Sequence, residues 1–524
     1  MTRCCLIASA LALSCGQDAV TPTDRVAPAP RPDQLFQDTS AFADVNSLGP
    51  SDVGAISLAD LDHDGVDDLI LPGNDATRLF RNRGDGSFVA WGSVAHPGRR
   101  VLTVYAADVT QDGRLDLVMA TVKTFLVFRG VSDGVYEPID GLPSLEGGGY
   151  GSVVTFGDFA HTGRLGLFLG RSFPFQPGET GQAETLFEAG CASVGVDPST
   201  LEPVPSTYLA ADASSFVDRT GAVGLDIPAK VQATAAGDIN DDGHLDLFVG
   251  TEGGARDLVF LNDGAGHFTE SGEALGWDAR TSAMGFDMAD IDGDGDAEFF
   301  VADAMPDDGG IVWVRQPDGR FQNEAAERGL LDTAQFSSWG GGFHDFDHDG
   351  DVDLLLANSL PPEGGSCDVL EQERLYFRND GTGHFERVVG AVGTALDAIS
   401  EARAAQVSDL DADGDLDVVV ASLDGPPQVL RNDMATGAWL LLDLDYPFHD
   451  PAVGAIVRVR ADGKTFTRWV IGTPSWGGSG SHVVHVGLGE AKNVEGIDVV
   501  WPSGQTQAFP GGPARERRRL TFAP

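Results

Sequence analysis

A chain of 524 residues is long enough for two or three domains or for one large repetitive one, so a sizeable core is assured. Asp and Glu outnumber Lys and Arg by 46, beside 68 Gly and 42% hydrophobic residues, the composition of a folded, turn-rich and very acidic protein. Such a charge excludes nucleic acid and anionic lipid surfaces as partners and points to divalent cations, which neutralise crowded carboxylates.

The chain opens with Arg3 as a short basic region, an apolar run over residues 6–13, and Leu11-Ala12-Leu13-Ser14-Cys15, which resembles a bacterial lipoprotein cleavage box. The expectation is a signal peptide over 1–14, a lipidated Cys15, and a Pro-rich extended tether over 15–34. Ala12 is looser than the usual Leu, so an ordinary signal peptide is the alternative. Either way the protein is exported, as an outer-membrane or cell-surface lipoprotein or as a secreted protein. Its only membrane contact is the N-terminal anchor, because no later stretch is apolar enough to span a bilayer. Cys4 and Cys5 leave with the signal, so Cys191 and Cys367 remain. They permit one disulfide, the alternative being two unpaired, partly buried thiols.

Beyond the tether, the nine-residue pattern Asp-x-Asp-x-Asp-Gly-x-x-Asp recurs seven times, starting at Asp60, Asp108, Asp158, Asp238, Asp290, Asp345 and Asp409. The spacings of 48, 50, 80, 52, 55 and 64 residues fit a four-stranded propeller blade with loop insertions. A small-residue strand precedes each loop, as in Thr234-Ala235-Ala236-Gly237, and a β-rich run follows it. A hairpin with Asn, Asp and Gly at its turn comes next, at residues 82–88, 262–268, 317–321 and 379–385. The third unit keeps this ending at residues 208–216, so its long spacing is an insertion near 171–205 and not a missing blade. The fold expected is all-β: a seven-bladed propeller with calcium-binding loops over 35–440 and a small β domain over 441–524. For closing the ring, residues 34–39 and residues 439–445 compete as the last outer strand.

Side chains at positions 1, 3, 5 and 9 of each loop, with the backbone carbonyl at 7, can surround a cation of calcium's size, while Gly at 6 permits the sharp turn. The expected ligands are Asp60, Asp62, Asp64 and Asp68; Asp108, Thr110, Asp112 and Asp116; Asp238, Asn240, Asp242 and Asp246; Asp290, Asp292, Asp294 and Glu298; Asp345, Asp347, Asp349 and Asp353; and Asp409, Asp411, Asp413 and Asp417. An EF-hand would need Glu at position 12, which here holds Leu71, Met119, Val249, Val301, Leu356 and Val420. In the third copy Ala160, Thr162 and Gly166 replace three ligands while Gly163 remains, so the turn is expected without the site. The six remaining loops hold 22 ionised ligands, which would repel one another without a cation. About six Ca²⁺ sites are expected, magnesium being a poor fit to multidentate carboxylate cages.

These loops, the L-x-x-N-D-G hairpins and the Phe-bearing strand ends resemble the FG-GAP/VCBS repeats of integrin α-subunit propellers and many bacterial surface proteins. The C-terminal stretch, from Val453-Gly454-Ala455-Ile456-Val457 through His485-Val486-Gly487-Leu488-Gly489 to Trp501-Pro502-Ser503-Gly504, resembles the ASPIC/UnbV domain that follows such repeats in cartilage acidic proteins. The resemblance implies a calcium-stabilised extracellular propeller, with ligands in some members bound opposite the calcium loops.

Arg83-Gly84-Asp85 occupies the hairpin turn that Asn262-Asp263-Gly264 fills elsewhere, so turn chemistry accounts for it. Gly463-Lys464-Thr465 lacks the leading Gly of a phosphate-binding loop, since position 458 is Arg. Histidines lie mostly at repeat positions and none falls in an HExxH or GxSxG pattern, so no catalytic residue is assigned and the chain is read as a non-enzyme. The function expected is recognition of an extracellular protein or glycan on the face opposite the calcium loops, where the insertions at 171–205 and 358–373 stand. The alternatives are a propeller-based hydrolase or lyase using the central channel, or a purely structural surface spacer. Replacing Cys15 with Ala should move the protein from membrane to soluble fractions; unchanged partitioning would remove the lipid anchor from the reading.

Overall fold

The computed structural model describes residues 36–40 and 54–524 apart from 122–123, 141, 144–148, 151–152, 175–201, 213–214, 306–308, 361–369, 390–397, 424, 434–436, 449 and 474. Cys15, Cys191 and Cys367 lie outside the described residues, as does the tether.

Seven four-stranded antiparallel sheets fill the propeller region. We number them as blades 1 to 7 by their inner strands, Ser57–Ala59, Val101–Ala107, Val153–Gly157, Val231–Gly237, Ala283–Ala289, Ser338–His344 and Ala402–Ser408. Each inner strand touches those of the blades on either side, from blade 1 round to blade 7 and back, so the ring is closed. Every acidic loop joins the first and second strands of its blade, and the predicted hairpins appear in register, with Asn82 opposite Phe88, Asn262 opposite Phe268 and Asn379 opposite Phe385. Blade 3 is complete, its outer strands Thr207–Asp212 and Ser215–Asp218 lying beyond the insertion. Apolar side chains pack mainly between blades: Ile56, Leu58 and Phe80 of blade 1 meet Ala404, Leu410 and Val419 of blade 7.

Of the two candidates for closing the ring, the N-terminal one is used. Phe36–Asp38 pairs with Gln428–Asn432 as the outermost strand of blade 7, and Phe36 is fully buried, edge-on to Phe346 at 5.3 Å and Tyr376 at 6.5 Å. The competing segment belongs to the C-terminal unit, where Ala438–Asp445 pairs with Val484–Gly489 and Glu516–Thr521. A second sheet there contains Lys464–Trp469, Ile456–Ala461, Asn493–Val500 and Thr506–Pro513. The two sheets enclose their own core, with Tyr446 stacked on Trp501 at 5.7 Å.

This C-terminal unit sits on the acidic-loop face of the propeller. Asp108 N–H donates to Asp450 O at 2.8 Å, Gln111 donates to Phe448 O at 2.6 Å, and Gly489 N–H donates to His348 O at 2.8 Å. Gly414 lies beneath the Trp439 indole, where no side chain would fit, and its φ of 97° independently favours glycine. From this cap a segment, residues 470–483, descends into the central channel. Gly472 exchanges backbone hydrogen bonds with Ala236 at 3.0 and 3.2 Å, Ile56 N–H reaches Gly477 O and Leu58 N–H reaches Ser479 O, each at 2.9 Å. Its tip, Trp476, meets Trp339 edge-on at 5.3 Å.

Phe36→Ala should cost about 3–5 kcal/mol in chemical denaturation. A loss below about 1 kcal/mol would mean that closure depends on something other than this strand.

Candidate metal centres

All seven acidic loops share one backbone conformation. Position 6 is a left-handed glycine throughout, with φ between 75° at Gly163 and 102° at Gly350. Position 4 is also left-handed in every loop, at His63, Gln111, His161, Asp241, Gly293, His348 and Ala412. Non-glycine residues hold this conformation at a cost of about 1–2 kcal/mol each, so the turn is imposed by its hydrogen bonds. The carboxylate at position 1 supplies them: Asp60, Asp108, Asp238, Asp345 and Asp409 accept the position-6 N–H at 2.9 to 3.1 Å. Asp158 does the same at 2.6 Å, so the third copy keeps its turn as expected.

Ligand atoms converge within 4.8 Å of one another in four loops: Asp60, Asp62 and Asp64; Asp290, Asp292 and Asp294; Asp345, Asp347 and Asp349; and Asp409, Asp411 and Asp417. In the loops at Asp108 and Asp238, position 3 is Thr110 or Asn240, leaving fewer charged groups to converge. Several of these atoms are buried without a hydrogen-bond partner among the described residues: Asp290 Oδ1, Asp292 Oδ1, Asp345 Oδ1 and Asp411 Oδ1. A buried carboxylate oxygen without a donor is costly, and a cation held by oxygens removes that cost. The donor set is all oxygen and mostly anionic, which fits a hard divalent ion of calcium's size.

Position 9 has a further task. Asp68 accepts N–H from Leu61 at 3.2 Å and from Asn82 at 2.9 Å, and Asp246 and Asp417 repeat the arrangement with Ile239 and Asn262, and with Leu410 and Asn432. These carboxylates therefore tie the start of the loop to the third strand of the blade, whether or not they also touch a metal. Glu298 takes the Ile291 N–H at 3.1 Å in the same way.

Two recurring residue types escaped the sequence reading. The hairpin pattern places Asn82, Asn262 and Asn379 in turns, yet their side-chain amides and that of Asn432 cross to the preceding blade, donating to Leu410 O, Phe159 O, Ile291 O and Phe346 O at 2.7 to 2.9 Å. Each acceptor is position 2 of the neighbouring loop. An arginine on the third strand also reaches a loop carboxylate: Arg81 to Asp62 at 2.6 Å, Arg129 to Asp112 at 2.7 Å, and Arg378 to Asp347. The signal was present as Arg-Asn before the hairpin in Arg81-Asn82, Arg378-Asn379 and Arg431-Asn432. Hairpin turns explained the Asn well enough to hide it.

Burial, more than any other cause, raises the loop carboxyls. Asp60, Asp238 and Asp290 are pushed up to about 6, Asp116 and Asp409 to about 7, and Asp68, Asp246, Glu298 and Asp353 to about 8.

The combination of a closed ring of four-stranded blades with acidic first loops defines an FG-GAP-type β-propeller. Residues 60–119 and 238–301 match the FG-GAP-like repeat, and residues 448–523 match the ASPIC and UnbV domain, so the chain carries both. Cartilage acidic protein 1 of Mus musculus is 22% identical over 481 residues, 86% of this chain and 70% of the relative. The Homo sapiens protein is 22% identical over 479 residues, covering 86% and 69%. Among solved structures, an Agrocybe aegerita lectin that recognises non-reducing terminal N-acetylglucosamine is similar with a TM-score of 0.38 and 18% identity, over 65% of this chain and 85% of that one.

Carboxyls raised by burial favour the metal-free fold below their ordinary value near 4 and lose that stability as pH climbs toward 8. The chelated protein should therefore melt at falling temperature from pH 5 to pH 8, and calcium should raise the melting temperature more at pH 8 than at pH 5. Equal calcium shifts at the two pH values would show that the loop carboxyls are not what the ion binds.

Proposed function

We propose that the protein is an exported, calcium-binding propeller, anchored through Cys15, whose face opposite the acidic loops recognises an extracellular protein or glycan. The observation that carries the calcium reading is the set of buried, unpartnered carboxylate oxygens converging in the loops. The placement of the ligand face is supported by the C-terminal unit, which already covers the acidic-loop side. What stays open to a large partner is the opposite face and the outer strands. Residues 470–473 and 475–483 occupy much of the channel that a propeller enzyme acting on a polymer would use, which favours recognition over turnover.

Metal analysis of the purified chain should return about six calcium ions, and chelation should lower the melting temperature by more than 10 °C, restored by calcium and not by magnesium. Asp345→Asn and Asp290→Asn should each remove about one ion, whereas Asp158→Asn should leave the count unchanged. No stoichiometric calcium, with no shift on chelation, would leave the loops as solvated turns and remove the basis for the binding role.

A further inference from the structure

The inserted segment does not fill the channel completely. A cavity of about 210 Å³ remains between it and the inner strands of blades 5, 6 and 7, well above the ~10–15 Å³ that one water requires. Its polar lining is unbalanced. Gln406, on the inner strand of blade 7, is 3% exposed, and its amide nitrogen has no partner among the described residues. Ser479, on the inserted segment, is 8% exposed with an equally unpaired hydroxyl. Arg468 donates to Thr467 O at 2.9 Å and to Gly350 O at 3.3 Å, which uses two of the five N–H groups of a guanidinium. Asp287, by contrast, already accepts Met288 N–H at 2.8 Å and Phe343 N–H at 2.7 Å, one at each oxygen. Asp345 also lines the chamber and has an unpartnered Oδ1, so the chamber offers donors in excess of acceptors once the ion of that loop takes this oxygen.

We propose that this chamber binds a small organic carboxylate, with the Arg468 guanidinium and the Gln406 amide as its donors. Its charge balance rests on the calcium reading above. The acids that act most strongly on Arg468 are Asp345 and Asp290, first-position loop ligands whose charge calcium takes up. Asp287 has both oxygens engaged by backbone N–H groups, and Arg468 is the only Arg or Lys among the described residues that line the chamber. With the loop acids engaged by calcium, the Arg468 guanidinium is the cationic group of the chamber wall, in a buried site where a charge-assisted, forked contact with a carboxylate is strong. A polar cleft of about 260 Å³ between blades 1 and 2 and the C-terminal unit adjoins the chamber, sharing Val470, His482 and Val483 with it.

The test is isothermal titration of acetate and of succinate into the calcium-loaded full chain, with acetamide as the uncharged control and calcium counted on the same sample. One saturable site per chain is expected for at least one of the two carboxylates and none for acetamide. Gln406→Leu should weaken that binding about tenfold or more, the loss of one hydrogen bond to a charged group. It should leave the melting temperature within a few degrees, because it removes a buried amide that had no partner. Full calcium loading with no saturable carboxylate binding, with equal binding of acetamide, or with binding untouched by Gln406→Leu would overturn the chamber alone and leave it a pocket of water. Absence of calcium would overturn the metal reading, and the charge balance of the chamber with it.

Discussion

Carboxylates crowded at short range on one face of a ring are the constraint from which the rest of the molecule follows. Three kinds of group compensate them. Backbone N–H groups reach a carboxylate oxygen at position 1 and both oxygens at position 9, which shapes the turn and fastens it to its blade. Arginines from the third strands sit at a carboxylate of position 3 or of position 5. The inner oxygens are served by neither, and they are the atoms that a hard cation would take. The loops therefore combine a fold that forms from hydrogen bonds with a charge that those bonds do not discharge.

Local compensation becomes a property of the whole ring through the asparagine latch. In blade 1, Asp68 holds the Asn82 backbone N–H while the Asn82 side chain holds Leu410 O in the loop of blade 7. Blades 4, 6 and 7 repeat this with their own predecessors. Disturbance of one loop thereby reaches the next, beside the apolar packing that joins the same blades. The C-terminal unit adds to the coupling through charge. Its residues 441–524 contain nine Lys and Arg against eight Asp and Glu, so the chain's large negative excess belongs to the remainder of the molecule. Arg517 reaches the Gly65 carbonyl of the first loop, and Arg468 lies between the loops at Asp290 and Asp345. A near-neutral domain with Arg468 and Arg517 turned toward the loops is what an acidic face attracts.

Repetition made much of this legible in the sequence. The seven-fold recurrence of a nine-residue loop exposes the blade spacing, the position of the loop between first and second strands, and the completeness of blade 3 despite its insertion. The four converging clusters all fall on residues that the repeat singled out. What stayed hidden was pairwise and long-range. Asn at a hairpin is already explained by its turn preference, so its reach into the next blade adds no separate signal. Ring closure by Phe36–Asp38 and not by Ala438–Asp445 depends on which of two plausible strands finds a partner edge, and β pattern alone does not rank them.

The channel shows the same limit most sharply. Its inner strands are built of small residues, such as Ala233-Thr234-Ala235-Ala236-Gly237 and Gly340-Gly341-Gly342, a composition that reads as a close approach between neighbouring blades. Gly477-Gly478-Ser479-Gly480-Ser481 reads in isolation as a flexible linker. Each is half of one interface. Small side chains on both sides let backbone meet backbone, as where Thr473 donates to Thr234 O across 239 positions of sequence. Apart from Ile471 and the Trp476–Trp339 pair, the contact is made by peptide groups and hydroxyls, so little apolar surface announces one half to the other. A glycine-rich segment is then suited to this place by its narrowness: it alone can descend between seven strands that leave little room, and the unequal fit it makes on the side of blades 5 to 7 is what leaves the chamber.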